Sequence, residues 1–289
     1  MKNIGIIGAE NSHAAAISKI INIEKKIRGF RVSHIWGEKK VFAHKTAEAG
    51  QIPEIVENPE QMIGNVDAVI VDHRHGTYHL PAAMPFLKKK IPLFIDKPFC
   101  FRVSKGRQFC DRAEKNKVPV CSFSVLPKQK SFKELRKKIK KLGKLSAVVT
   151  TGPCDIKSKY GGIFFYGIHQ VDLILSAVGY DAQSVQFNRG KANSTGTIFF
   201  SSGLTATMNF IGEHYPPFHF SAIGDKGRID MEMASDKNSY LTGVRDFTRM
   251  FRTGTSPSTR ESMLMPVAVL EALEKSMNRK RKVRVGKIL

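Results

Sequence analysis

Three short stretches carry residue types that can move a proton or hold an anion. The first is Leu93-Phe94-Ile95-Asp96-Lys97-Pro98-Phe99, where an apolar run ends on an acid, a lysine and a proline. A lysine at the mouth of a strand can stabilise charge developing on a substrate oxygen. Taken alone, Asp and Pro there are also ordinary turn residues that stop a strand. The second stretch is Gly167-Ile168-His169-Gln170-Val171-Asp172. On a helix beginning near Gly167 and ended by Gly179, residues three and four apart share a face, which groups Phe165, His169 and Asp172. A histidine beside a carboxylate is an oriented general base in one reading and a satisfied core histidine in the other. The third is Gly8-Ala9-Glu10-Asn11-Ser12-His13, between an apolar strand and a helix. A dinucleotide fold holds a pyrophosphate on backbone N–H groups at such a turn. Of the spacing G-x-G-x-x-G only Gly8 is kept, with Glu10 and His13 in the other two positions. Asn11 and Ser12 remain as phosphate donors and N-cap candidates, and Glu10 is expected to point away.

The end of the second strand is where an acid would hold the ribose 2′-OH of NAD. The sequence places Trp36 there, followed by Gly37, Glu38, Lys39 and Lys40. With no acid at the tip and two lysines near, the reading tilts towards NADP, with Glu38 as the route to NAD. His73, Arg74 and His75 follow the third strand as cofactor or substrate contacts, or as a solvated loop.

Apolar strands alternate with amphipathic segments through the first 122 residues, at 3–8, 30–35, 67–71, 91–95 and 118–122, with helices between them. That order predicts a Rossmann-type doubly wound parallel sheet whose strands are covered on both faces. From residue 123 the rhythm changes to a basic helix over 131–142, a strand at 145–152, the His169 segment, then half-exposed strands at 196–201, 204–211, 219–223 and 227–231. A helix over 265–277 and a short strand at 283–285 close the chain. The expected division is 1–122 for dinucleotide binding and 123–289 as an α+β domain with one open, mainly antiparallel sheet, which binds substrate and mediates association.

The 289 residues carry 47 basic and 25 acidic side chains, a formal charge of +22. The excess is concentrated in 128–144, with nine Lys/Arg against one Glu, and in 275–287, with seven and no acid. Such runs are solvated helix faces or tails, an attraction for an anionic substrate, or a polyanion footprint. The interleaved aromatics of a nucleic-acid reader are missing, so no specific nucleic-acid partner is expected. Cys100, Cys110, Cys121 and Cys154 lack metal-knuckle spacing and read as buried free thiols in a reducing cytoplasm, with no metal site expected. No apolar run is long enough to span a bilayer, and the chain opens on a strand, so a cytoplasmic protein away from membranes is expected.

The combination of these motifs resembles the Gfo/Idh/MocA family of oxidoreductases. It comprises strand-G-x-x-x-S-H, D-x-V-I-V with His79 in the following connection, Asp96-Lys97-Pro98 where the family has Glu-Lys-Pro, and Gly161-Gly162 leading to Gly167-Ile168-His169 and Asp172. The G-D-K-G turn at 224–227 and Val283-Arg284-Val285 extend it to nearly the whole chain. The resemblance implies NAD(P) bound by the first domain, with Gly8, Asn11, Ser12, His13, Trp36, Glu38, Lys39, His73, Arg74, His79, Asp96 and Pro98 on the cofactor side. It implies that Lys97 polarises the substrate oxygen and His169 exchanges its proton, with Tyr160, Tyr166 and Asp172 near substrate. The family pattern D-x-G-x-H has an acid four residues before the histidine, and here that position is Phe165.

The function expected is hydride transfer between nicotinamide and a secondary alcohol or ketone of a sugar, polyol or related metabolite. The alternatives are a non-catalytic nucleotide-binding sensor or regulatory protein on the same fold, and a polyanion-binding protein driven by the basic runs. An open sheet predicts a homodimer or homotetramer.

Overall fold

The computed structural model describes residues 1–288, which form two compact units. The first contains β1 (Lys2–Ile7), α1 (Ser12–Ser18), β2 (Phe30–Trp36), α2 (Lys40–Gly50), β3 (Glu54–Ile55), β4 (Ala68–Val71), α3 (His79–Lys88), β5 (Leu93–Ile95), α4 (Val103–Lys115) and β6 (Val120–Cys121). All six strands are parallel, in the order β3-β2-β1-β4-β5-β6. The strand order therefore reverses between β1 and β4, and the crevice at their carboxyl ends is where a doubly wound sheet takes a ligand. β4 and β5 are buried at every residue, which explains their unbroken apolar sequence.

The chain after this unit carries α5 (Lys130–Ile139), β7 (Leu145–Pro153), α6 (Ile163–Val178), β8 (Ala182–Arg189), β9 (Ser194–Phe200), β10 (Thr205–Ile211), β11 (His219–Gly224), β12 (Gly227–Glu232), α7 (Leu241–Thr253), α8 (Arg260–Arg279) and β13 (Val283–Arg284). Its sheet runs β12-β11-β7-β10-β9-β8-β13, with one parallel pair, β7 with β10, and antiparallel pairs elsewhere. β9 and β10 alternate strictly between buried and half-buried residues. Ile198, Met208 and Phe210 enter the core, while Thr195, Thr197 and Thr207 stand on the outer face beside exposed Val149 and Ile223. The basic run of α5 buries Phe132, Leu135 and Ile139 and leaves its lysines exposed, as a solvated face requires.

The sequence reading needs correction in three places. α6 begins at Ile163, four residues before Gly167, because Gly161 and Gly162 take positive φ and let the chain turn straight into the helix. β8 was not anticipated, since Ala182–Arg189 offers few apolar residues. α7 was not anticipated either, and it lies in the first unit, which comprises residues 1–100, 104–123 and 240–260. Its Val244, Phe247, Met250 and Phe251 belong to the core of β1, β2 and α1. The single crossing expected near 122–123 is thus replaced by a chain that returns to the first unit.

All four cysteines are buried and free, and burial pushes the Cys110 thiol up to about 11 and that of Cys154 up to about 12. No helix among the described residues is long and apolar enough to cross a membrane.

Phe247 stacks on Phe94 with centroids 4.6 Å apart and meets Phe251 at 5.5 Å. Phe247→Ala should destabilise the first unit by about 3–5 kcal/mol, as deletion of a buried ring does. Denaturant unfolding followed by Trp36 fluorescence measures this, and an unchanged midpoint would detach α7 from that core.

Candidate functional site

The first unit's polar cluster begins where the β1–α1 turn passes against the end of β4. Gly8 has φ +108°, and a Cβ there would lie 2.5 Å from the His73 nitrogen and 2.6 Å from the Asp72 carbonyl carbon. Only glycine satisfies both demands, which accounts for the one retained glycine of the motif. Asn11 is the N-cap of α1, and its Oδ1 accepts the His13 N–H at 3.4 Å. Its amide turns inward and donates to Asp72 Oδ1 at 3.0 Å and to Asp96 Oδ2 at 3.2 Å. His13, at the third glycine position, sets Nδ1 3.2 Å from Asp96 and 3.6 Å from Asp72, with its ring 5.0 Å from Tyr240. Lys97 completes the group with Nζ 3.7 Å from Asp96 Oδ2 and a side chain 9% exposed.

Two buried carboxylates at the ends of β4 and β5 are therefore tied together by one amide. Burial first, and then the neighbouring charge of Asp96, push the Asp72 carboxyl well above the usual range. For Asp96 burial acts the same way, but His13 and Lys97 outweigh it and hold the group below its ordinary value. The pair thus favours a neutral Asp72 and an ionised Asp96. One ligand atom each from His13, Asp72 and Asp96 lies within 4.8 Å of the others, a donor set that also suits a divalent cation. Here the same oxygens are engaged by Asn11, His13 and Lys97.

His79 fastens the ends of β4 and β5 to each other. Its ring nitrogens lie 2.8 Å from the carbonyl oxygens of Pro98 and His73. Burial pulls its pKa down, against Asp96 and the two carbonyls, which favour the cation. The Lys97–Pro98 peptide is cis.

Just after β2, Glu38 reaches back to the β1–α1 turn, and its Oε2 accepts the N–H groups of Ala9 at 2.9 Å and Glu10 at 3.1 Å. Its Oε1 is buried without a partner. Trp36 packs on His73 at 5.7 Å, and His73 on Tyr78 at 5.9 Å. Burial pushes His73 down to about 3, so the ring is neutral, and its buried Nδ1 has no partner. Lys40 pairs with Glu57 on the surface and Lys39 lies over Phe42, so neither lysine is held at the turn. Ser12 is exposed, Arg74 is half-buried and His75 caps the short helix at Gly76–Tyr78.

The second unit supplies a separate cluster on α6. His169 is buried, with Nδ1 2.9 Å from Ser124 Oγ. Asp172 Oδ2 accepts the Ser124 N–H at 3.2 Å, so this carboxylate holds the chain beside the histidine. Phe165 and Tyr166 meet at 5.0 Å, Tyr160 lies 5.0 Å from Phe165, and Tyr166 lies 5.6 Å from His169. Phe218 meets the His169 ring at 5.5 Å, and exposed Tyr215 meets Tyr166 at 5.8 Å. The sequence reading did not single out Asp72, Ser124, Tyr215 or Phe218. Only Asp72 carried a local signal, as an acid directly after four buried strand residues.

Because its pKa is raised on folding, Asp72 costs stability as pH climbs from the ordinary carboxyl value, near 4, through its folded value. Asp72→Asn keeps the Asn11 contact and cannot ionise. Its Tm at pH 8 should exceed that of the parent by about 2–4 °C, the equivalent of about 1 kcal/mol in a protein of this size. The difference should vanish near pH 4, and a constant difference across that range would show that Asp72 does not titrate.

Residues 2–123 match the family model described as an oxidoreductase family with an NAD-binding Rossmann fold. No curated protein matches the sequence. Among solved structures, a probable dehydrogenase from Thermotoga maritima has 18% identity and a TM-score of 0.85, covering 99% of this chain and 100% of that one. Myo-inositol 2-dehydrogenase from Lactobacillus plantarum has 15% identity and a TM-score of 0.86, covering 99% of both chains. Scyllo-inositol dehydrogenase from Lactobacillus casei, solved with NAD(H) and scyllo-inositol, has 14% identity and a TM-score of 0.85, covering 99% and 100%. At such identities these structures speak for the fold, while the match to the oxidoreductase family's NAD-binding Rossmann fold covers residues 2–123, the part that carries the Gly8 turn and the Asp96-Lys97-Pro98 edge.

Proposed function

We propose that the protein is an NAD-dependent oxidoreductase that interconverts a secondary alcohol and its ketone on a sugar, polyol or related small metabolite. The observation that carries this reading is Lys97, nine-tenths buried beside Asp96 at the carboxyl edge of the Rossmann sheet. A buried ammonium there is suited to polarise a substrate oxygen and stabilise the charge that builds on it. The inositol dehydrogenases of the same fold favour a sugar or polyol as the substrate class. His169 is the second polar group assigned to that oxygen.

The bound dinucleotide supplies or takes up the hydride. The residues present fit it. Gly8 keeps the turn clear of a Cβ, and the unpartnered Glu38 Oε1 is an acceptor that a ribose hydroxyl satisfies. A 2′-phosphate would meet the same carboxylate as a like charge, so the reading favours NAD over NADP and reverses the tilt drawn from Lys39 and Lys40. Trp36 and His73 would flank the cofactor. The row from Tyr160 through Phe165 and Tyr166 to Phe218 offers flat apolar surface, which suits the ring face of a cyclic substrate. The outer sheet face, with Val149 and Ile223 exposed among threonines, favours a homo-oligomer.

A second reading, a nucleotide-binding sensor without turnover, is favoured by Phe165 in the place of the family's acid. Titration separates the cofactors first: NADH should quench Trp36 saturably at concentrations at least about tenfold below NADPH, since tenfold is about 1.4 kcal/mol of like-charge penalty. Glu38→Gln should narrow that gap, and equal affinities in the parent would remove the preference. Lys97→Met should lower kcat about 10²–10³-fold with NADH affinity within about twofold. Unchanged turnover would remove Lys97 from catalysis, while NADH binding with no turnover of any polyol or sugar would select the sensor.

A further inference from the structure

We infer that Ser124 fixes His169 in the tautomer that carries its proton on Nε2, so that His169 serves the substrate oxygen as a hydrogen-bond donor and not as a base. This deepens the reading above and rests on it for the substrate oxygen alone.

The argument is an accounting of one buried hydroxyl. Ser124 is 1% exposed. Among the described residues its Oγ has two partners, the Leu126 N–H at 3.3 Å and His169 Nδ1 at 2.9 Å. A hydroxyl has one proton to donate and two lone pairs to accept with. Leu126 occupies a lone pair, and water does not reach the group. The proton therefore has one acceptor, the lone pair of Nδ1, and the hydrogen-bond network assigns the ring proton to Nε2. In the other tautomer Nδ1–H would point at Oγ and leave the hydroxyl proton orphaned, a penalty on the order of tenfold or more in the tautomer ratio.

Ser124 is itself held in place, because Asp172 Oδ2 accepts its backbone N–H at 3.2 Å. The rings of Tyr166 and Phe218 lie 5.6 Å and 5.5 Å from that of His169. The imidazole thus has a hydroxyl partner at Nδ1 and two aromatic rings in edge contact with it.

The consequence for chemistry is specific. A neutral imidazole with its proton on Nε2 has no lone pair there, so it cannot accept a hydroxyl proton at that nitrogen. It can donate a hydrogen bond to an oxygen as negative charge builds, the use of a neutral histidine as an electrophile. Proton exchange then falls to Lys97. As a carbonyl is reduced by hydride from the dinucleotide, a Lys97 N–H bond breaks while the O–H bond forms, and the amine is reprotonated from solvent. In the oxidative direction the same exchange runs in reverse, with the hydroxyl proton returning to the Lys97 nitrogen.

The test begins without substrate or cofactor. The full chain labelled with ¹⁵N-histidine is studied by long-range ¹H–¹⁵N correlation at a pH where the ring is neutral, with His169→Gln identifying the resonances. The expected result is a single tautomer protonated at Nε2, with Nδ1 displaced by an accepted hydrogen bond. Ser124→Ala should return Nδ1 to its unbonded position and admit the other tautomer, and Ser124→Thr should restore the parent pattern. A proton on Nδ1 in the parent, or an Nδ1 resonance indifferent to Ser124→Ala, would overturn the inference. With a substrate in hand, His169→Gln, which keeps an N–H donor, should lose about tenfold in kcat/KM, and His169→Ala at least about a hundredfold. Equal losses in the two would overturn the donor role. Absence of turnover with cofactor bound would remove the oxidoreductase reading and the role at a substrate oxygen, while the tautomer would still decide the part assigned to Ser124.

Discussion

Two carboxylates sharing one asparagine amide are the constraint around which the carboxyl edge of the first sheet is arranged. Asp72 and Asp96 sit at the ends of adjacent parallel strands, both buried, and each alone would be costly in a low-dielectric interior. The amide of Asn11 reaches both, His13 lies within 3.6 Å of both, and Lys97 stands 3.7 Å from Asp96. With three polar partners for two acids, one carboxyl gives up its charge and the other keeps it. The surviving charge on Asp96 faces the largely buried Lys97 side chain at the strand end, 3.7 Å away.

This arrangement explains the erosion of the glycine motif. A third glycine normally lets the helix pack closely on the strand, whereas here a side chain is needed at that position. His13 occupies it and spends its imidazole on the acids. The second glycine lets backbone approach a pyrophosphate, and Glu10 replaces it in a turn whose N–H groups already hold the Glu38 carboxylate. Gly8 alone has no substitute, since its Cβ would collide with the backbone of Asp72 and His73.

What could be read from the sequence was whatever is local along the chain. The parallel sheet followed from apolar runs separated by helical stretches, and the proposals for Lys97 and His169 rest on motifs a few residues long. What escaped depended on partners distant in sequence. Asp72 gains its meaning from Asp96 and Asn11, and Ser124 meets His169 from 45 residues away. α7 carries four charged residues on its outer side, Arg245, Asp246, Arg249 and Arg252, so its apolar stripe was not attributed to a core more than a hundred residues earlier. The lysines after β2 were read from position alone. Their position suggested a phosphate, but Lys40 spends its charge on Glu57, and it is Glu38 that turns inward.

The second unit shows how a histidine can be kept oriented after its customary acid is gone. In the family pattern a carboxylate one helical turn before the histidine would lie beside it, and Phe165 cannot accept or donate anything. Its ring instead extends a series of aromatic contacts along α6, which gives apolar surface at the expense of a hydrogen bond. Orientation then has to come from the other side of the imidazole. It does so through two links: Asp172 holds the backbone of Ser124, and the Ser124 hydroxyl meets Nδ1. A carboxylate partner would stabilise an imidazolium, whereas a hydroxyl that must donate its only proton favours the neutral ring. A histidine that accepts a serine's proton at Nδ1 is suited to steady an oxygen rather than to strip a proton from it.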